Sequence, residues 1–345
     1  MINVDSTRLA AEMRTELLSR NVCTESVEHV VASLIQTSLR GVDSHGIQLF
    51  PHYCRAVDGG RISTHPSFRV DQTAPATAIL DADHAFGHHA GVVAMDLAIK
   101  TAKTAGTCAV AVRNSTHFGA AAYFALRAPP QGCLGFSFTN ADALVKVHNA
   151  QGAFFGTNPV CFSAPLADEE PFCLDMATSL VAWNKIMNYR RQGKDIPADW
   201  ACDELGRAVA DPNLAKALFP TGSYKGFGLG MMVDILCALL AGGPVGKDLL
   251  PMYSDLSVKR NVTHFFMAID INKFLPTAAF SAQLQAMVNR LRAMEPIDPH
   301  VPVMVPGDPE KQSHVRRLAS GIPVDEAKFE EFLTLSPNFS ATVVG

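Results

Sequence analysis

Between Ala90 and Val112 the chain changes its periodicity without a linker, and this limits the possible folds more than any other feature. Ala90 to Ala105 repeats apolar residues at helical spacing and stops at Gly106, and Thr107 to Val112 then runs as a β-rich apolar stretch. A helix handed directly to a buried strand calls for a sheet with helices packed on it, so the fold class is mixed α/β.

The remaining pattern extends that reading. Strands are predicted at FRVDQ and ATAILDA within residues 68–82, and at Leu134–Thr139, Phe172–Asp175 and Thr263–Ile271. Two helices open the chain, one through Leu9, Met13, Leu17 and Leu18 with Asp5 or Ser6 as cap, the next through Val27, Val30, Val31, Leu34 and Ile35. Further helices are predicted over 119–128, stopped by Pro129 and Pro130, over 277–295 through Phe280, Leu284, Met287, Val288 and Leu291, and over 325–335. Gly222 to Gly243 is glycine-rich but too apolar for a linker, which predicts a buried helix with close neighbours. The PGDPEKQSH stretch reads as a loop. Helices at both ends predict that the termini pack together as one unit.

Composition narrows the class of function. Of 345 residues 48% are apolar and 18% charged, which excludes disorder and leaves enough chain for about two domains. Lys and Arg total 29 against 33 Asp and Glu, so no basic excess exists to hold nucleic acid or an anionic membrane. The longest apolar run, Phe227 to Gly242, is interrupted by Asp234 and is shorter than the roughly 20 residues a membrane span needs. Eight scattered cysteines with no CxxC, and an N-terminus bearing acidic residues rather than a signal peptide, predict a reduced cytoplasmic protein.

Six strings could carry chemistry. In Arg113-Asn-Ser-Thr-His117-Phe-Gly119 the histidine follows a predicted buried strand and precedes a helix, a corner that presents a side chain to a cleft. Its imidazole could take the proton of an alcohol, or could simply cap the helix. Asp43-Ser44-His45-Gly46, flanked by Arg40 and Tyr53, could position a substrate oxygen, though a helix C-terminal turn explains it as well. Phe155-Gly156-Thr157-Asn158-Pro159 reads as a tight turn with free N–H groups. Asp175-Met176-Ala177-Thr178-Ser179 follows a strand and is predicted to start a helix, where an N-terminus suits a phosphate or ribose; an ordinary helix cap is the alternative. Lys225-Gly226-Phe227-Gly228-Leu229-Gly230 imitates a dinucleotide loop but has Met231 where GxGxxG needs glycine, and no Walker A string occurs. Asp81, Asp83, His84, His88 and His89 suggest a metal, yet His88 and His89 cannot share one helix face and no HExxH is present, so no metal is assigned.

Taken in order, RGVDSHG, GGRI, NSTHFGAAAYF, FGTNP, DMATSLVAWNK, IPADWACDELG, LFPTGSYKGFGLGMMVDIL and PGDPE resemble the type 2 malate/L-lactate dehydrogenase family nearly end to end. That family also includes ureidoglycolate dehydrogenase, sulfolactate dehydrogenase, diketogulonate reductase and piperideine-carboxylate reductase. AWNK, MYSDL followed by KRN, and PGDPE bring the ureidoglycolate branch nearest. The resemblance implies an α/β fold with a non-Rossmann, mixed or antiparallel nicotinamide-binding domain (about 118–276, within an α/β region 66–276). It also implies a helical domain from 1–65 with 277–345, and a homodimer or larger homo-oligomer.

By the same resemblance His117 is the acid/base, His45 lines its pocket, and Asp142 orients or tunes it. Asp175, Met176, Ala177, Lys225 and the Pro306-Gly307-Asp308 stretch would hold the dinucleotide, with Thr157 and Asn158 in the same cleft. Arg260 would reach the substrate carboxylate across a dimer interface, with Tyr53 also at the substrate. NAD is favoured, with NADP the alternative because Lys185, Arg190 and Arg191 lie near Trp183. Two positions depart from the family pattern. Leu49 stands where relatives carry a carboxylate-clamping arginine, and Ala141 stands where relatives often have serine. The expected function is hydride transfer between a nicotinamide and C2 of a small 2-hydroxy or 2-oxo acid. A cyclic-imine reductase is the alternative within the class; a metal-dependent hydrolase or a non-catalytic binding protein are alternatives outside it.

Overall fold

A computed structural model describes residues 1–344. Its centre is a seven-stranded sheet in the order β2 (Arg69–Ala74), β3 (Thr77–Asp81), β4 (Thr107–Ser115), β12 (Val262–Asp270), β5 (Cys133–Thr139), β8 (Val160–Ala164), β9 (Phe172–Met176). Only β3 and β4 run parallel, joined by helix α4 (Gly87–Ala105), and every other neighbouring pair is antiparallel. This is the mixed, non-Rossmann sheet the sequence implied.

The α4–β4 handover explains the packing of the first face. Ala90, Ala94, Ala98 and Ala102 repeat along α4 and are fully buried, so small side chains let the helix lie close to β4 and β12. Its N-terminus comes closer still: a Cβ on Gly87 would lie 2.3 Å from the Thr116 carbonyl oxygen. Only glycine lets α4 abut the corner that carries His117.

A second core joins the two ends of the chain. Helices α1 (Ser6–Ser19), α2 (Thr24–Leu39), α3 (Phe50–Asp58) and α10 (Glu326–Leu335) bury Leu9, Met13, Leu34, Phe50, Phe332 and Phe339 together. The short pair β1 (Ile2–Val4) and β13 (Ile322–Val324) closes it. Asp5 caps α1 by accepting from the Thr7 and Arg8 N–H groups, and Pro51 stands in the first turn of α3, where its missing N–H costs nothing. Helix α8 (Thr277–Arg292) packs elsewhere, placing Leu284 and Val288 against Leu166, Phe172 and Val305 near the β9 edge. A small sheet, β10 (Ala201–Cys202), β11 (Ala217–Leu218), β6 (Val145–Lys146), β7 (Ala153–Phe155), stands beside helix α6 (Trp183–Gln192).

Four local expectations are corrected. The predicted helix 119–128 is only one turn, α5 (Ala122–Ala125), followed by 3-10 turns into Gln131. The stretch read as a loop at PGDPEKQSH is helix α9 (Asp308–Ser320), entered through Gly307 at φ 98° with Pro309 in its first turn. Its high charge and mostly exposed face remove the hydrophobic periodicity by which a helix is read. No helix begins at Asp175–Ser179: Asp175 and Met176 end β9, and the Thr178 N–H is held at 2.8 Å by the Thr157 carbonyl. Finally, α7 (Tyr224–Asp234), with its π-helical continuation Ile235–Leu239, is helical as expected but buried on one face only, through Gly230, Val233, Cys237 and Ala238. Leu229, Met231, Met232, Ile235, Leu239 and Leu240 are exposed. Among the described residues no helix is long and apolar enough to cross a membrane.

Candidate active site

The end of β4 delivers His117 to the seam between the sheet and the terminal helices. There the Tyr53 hydroxyl, brought by α3 and almost wholly buried, stands 2.7 Å from His117 Nδ1. The Gly119 N–H also points at Nδ1, at 3.3 Å. A backbone N–H only donates, so with this contact made the proton of the neutral imidazole sits on Nε2. No partner engages Nε2 among the described residues. His45 lies nearly parallel to His117, ring centres 5.7 Å apart, and its Nδ1 is 2.8 Å from the Ser44 hydroxyl. Burial first, then the charges of His45, His88, Arg260 and His52, holds His117 well below the ordinary histidine range.

Asp142 is placed differently from expectation. Its carboxylate does not touch His117: it forms an ion pair with Arg260 and accepts the Met252 N–H at 2.9 Å. The side chain that touches the His117 ring is that of Tyr53, not Asp142. Arg260 in turn is buried within its own chain and donates from Nε to the Leu250 carbonyl at 2.7 Å. Asn158 is likewise spent inside the fold. Fully buried, it accepts the Ala141 N–H at 3.0 Å and donates to the Gly230 carbonyl at 2.9 Å, pinning the FGTNP turn to α7. The Thr157 carbonyl holds Thr178, and Lys225 is exposed on the first turn of α7. Leu49 is packed into the terminal-helix core beside Phe50.

A cavity of about 590 Å³ lies beyond the His117 corner and is lined by Arg40, Ala120, Tyr123, Asp175, Gly307 and Glu310, among others. Asp175 accepts the Ala122 N–H at 2.8 Å. Enclosure by the cavity wall pushes its carboxyl up to about 6; the Ala122 bond opposes this, and Glu310 adds to it. Both bordering arginines are already paired, Arg40 with Glu170 at 2.7 Å and Arg127 with Asp96 at 2.7 Å. Asp308 does not line the cavity. Its carboxylate takes the Arg292 guanidinium and the Val305 N–H, clasping the Pro306–Gly307 turn from behind. Arg292 also binds Glu169, which lies down at about 2 in consequence.

The cavity is thus bordered by the Asp175 carboxylate and by the Pro306–Gly307 turn. His88 and His89 point apart: the first packs edge-on to Tyr53, ring centres 5.0 Å apart, and the second meets the Ser26 hydroxyl at 2.9 Å. Among the described residues no group of three or more His, Cys, Asp or Glu is placed to hold a metal ion. Sequence reasoning did not mark His52, Tyr253 or His264, and singled out His88 only within a possible metal cluster. Each is drawn to the site by long-range packing, which leaves no local signal.

His117 and Tyr53 thus stand together at the corner beside a cavity of about 590 Å³. The model of the malate/L-lactate dehydrogenase family matches residues 4–333, and the chain belongs to that family. It is 36% identical to the malate dehydrogenase of Pyrococcus horikoshii over 341 residues, 96% of this chain and 93% of that one. The ureidoglycolate dehydrogenase (NAD(+)) of Escherichia coli K12 is 32% identical over 322 residues, 92% of each chain. The crystal structure of malate dehydrogenase from Entamoeba histolytica superposes with a TM-score of 0.92 at 29% identity, covering 98% of both chains.

Proposed function

We propose that this protein transfers a hydride between C4 of NAD and C2 of a small 2-hydroxy or 2-oxo acid, with His117 exchanging the proton. The observation that carries this reading is the His117–Tyr53 pair, which turns a free Nε2 toward the seam beside the buried charge of Arg260. The nicotinamide supplies or takes the hydride. Every other task falls to the chain. Asp175, the Pro306–Gly307 turn, Met176, Ala177 and Lys225 would hold the dinucleotide, Asp175 through the ribose hydroxyls. Two carboxylates on that cavity, Asp175 and Glu310, repel a 2′-phosphate, and this favours NAD over NADP. Lys185 is engaged over the Trp200 ring at 4.3 Å and Arg190 on the Pro212 carbonyl at 2.7 Å, so neither is free for such a phosphate.

Tyr53 serves the ring in both directions. Its hydroxyl accepts from Nδ1–H both when Nε2 takes the alcohol proton and when the resulting imidazolium returns that proton to a carbonyl. A carboxylate substrate beside the ring raises the depressed His117 pKa, so substrate arrival and proton uptake are coupled. His45 shapes the pocket, and Arg260, held by Asp142, supplies the nearest buried cation for the substrate's carboxylate. A cyclic imine nitrogen would take the same Nε2 proton.

The exposed apolar face of α7 supports a homodimer, since patches of this kind mark protein contacts. Eight unpaired thiols support a reducing, cytoplasmic setting.

The test is absorbance of NADH and NADPH against a panel of 2-oxo acids and cyclic imines, then the reverse with hydroxy acids. Turnover with NADH and at least one 2-oxo acid is expected; binding of neither dinucleotide would overturn the reading. Asp175 gives a second check. Its folded pKa is about 6 against an ordinary 3.8, so the carboxylate form that accepts ribose hydroxyls grows as pH rises through that range. NADH affinity should therefore strengthen from about pH 5 to about pH 7, and Asp175→Asn should remove that dependence. The same raised pKa means the folded state binds more protons than the unfolded one, so stability falls as pH rises through this window. Asp175→Asn should accordingly melt higher at neutral pH while binding NADH more weakly, as calorimetry and fluorescence titration would report.

A further inference from the structure

His264 is fully buried in β12, the strand between β4 and β5. Its two ring nitrogens are both used. Nδ1 lies 2.7 Å from the Thr139 hydroxyl and Nε2 lies 2.8 Å from the Ser115 hydroxyl. The ring stacks on Phe118 at 4.8 Å with planes 11° apart.

These partners are the last residues of two different strands. Ser115 ends β4, and His117 follows after Thr116. Thr139 ends β5, and Asp142 follows after Asn140 and Ala141. Arg260 lies two residues before β12 begins at Val262. One ring therefore ties together the strand ends that carry the proton-exchanging histidine and the Arg260–Asp142 pair.

The local backbone is built for this contact. Val262 pairs with Ser115 but His264 pairs with Val112, so β4 carries an extra residue at Arg113–Asn114, and Asn114 takes φ 52°. The Asn114 amide is held there by both Asp81 oxygens at 3.1 Å. A bulge of this kind re-aims a strand end, and here it brings Ser115 onto His264. Burial keeps the ring neutral, with its pKa down to about 3, so its contribution is directional hydrogen bonding rather than charge. A phenylalanine would fill the same space with no polar group to satisfy.

We propose that His264 is a positioning residue that fixes the His117 corner relative to the Arg260–Asp142 pair through Ser115 and Thr139. This rests on the proposed function for its kinetic consequence, but its geometric core can be measured without substrate.

The experiment compares wild type with His264→Phe, which preserves the stack on Phe118 and removes both hydrogen bonds. Turnover should fall about tenfold or more, the scale that a small misplacement of a reacting group produces. KM for NADH and its dissociation constant should stay within about twofold. His264→Gln, which keeps a donor and an acceptor, should retain more turnover than His264→Phe. In parallel, NMR titration of the His117 ring reads the corner directly. Tyr53, His45, His88, His52 and Arg260 face that ring, and loosening them should move its pKa up toward the ordinary value.

A variant with wild-type turnover and an unchanged His117 titration, even if it melts lower, would reduce His264 to a core residue and overturn the proposal. If His264→Phe does not fold, Ser115→Ala removes a single partner. It should show the same pattern at smaller size, and wild-type turnover with an unmoved His117 titration would then be the contradicting result. If wild type turns over no acid or imine, the functional reading fails, while the His117 titration still decides the coupling.

Discussion

Replacing His117 with alanine should lower turnover by about 10²–10⁴-fold, the span that a positioned acid/base contributes, while NADH binds as before. The two effects separate because the ring lies at the seam and the nucleotide-sized cavity lies beyond it. Tyr53→Phe should give a milder loss, since it leaves Nε2 in place and removes only the hydroxyl that stands 2.7 Å from Nδ1. Its signature is a changed pH–rate profile: without the hydroxyl, Nδ1 keeps only the longer Gly119 contact. Stopped-flow traces at the NADH absorbance with parallel fluorescence titration separate binding from turnover. Wild-type turnover in His117→Ala would remove that residue from the chemistry.

The second large effect is on stability. Asp142→Ala should destabilise the protein by about 3 kcal/mol, because it leaves the Arg260 guanidinium buried without its counter-ion. The Arg260 side chain is 3% exposed and that of Asp142 24%, so the arginine bears the greater desolvation. The Met252 N–H loses its acceptor in the same change. The double variant Asp142→Leu with Arg260→Met should be less destabilised than the sum of the two single changes, since both charges leave together. Urea denaturation of the four proteins in a cycle measures this. Additive losses would mean that the ion pair contributes nothing beyond its separate parts.

How much of this was legible in the sequence depends on range. The α4–β4 handover was readable because apolar spacing and Gly106 are local signals, and β5, β9 and β12 followed from short apolar runs. The start of α1 at Asp5 was readable because a cap lies next to the helix it serves. Helix α9 was not, since its Asp, Glu, Lys and Arg residues erase the apolar stripe and its buried anchors are Asp308 and Ser313.

The site divides in the same way. His117 and His45 stood out because each sits in a distinctive local string, and the resemblance named Asp175 and the Pro306–Gly307 turn. What they touch did not stand out. Tyr53 meets His117 across 64 positions and Arg260 meets Asp142 across 118. Sequence order carries no information about which partner the fold selects at such separations. Asn158 and Asp308 show the complementary error. Both were named for a ligand, yet their polar atoms are consumed by Gly230, Ala141, Val305 and Arg292, so they shape the loops rather than face the cavity. His264 was silent because a single polar residue in an apolar strand resembles any other until the strands at its sides are known.

The central claim is that a hydride passes between the nicotinamide and C2 of the acid. It is tested most directly with NADH deuterated at C4 on the transferring face and a 2-oxo acid from the panel, with the product read by mass spectrometry and NMR. The account predicts one deuterium on C2 of the hydroxy acid, formed by wild type and reduced in step with turnover in His117→Ala. A 2-hydroxy acid formed without deuterium at C2, or label retained wholly in the dinucleotide across the panel, would contradict it.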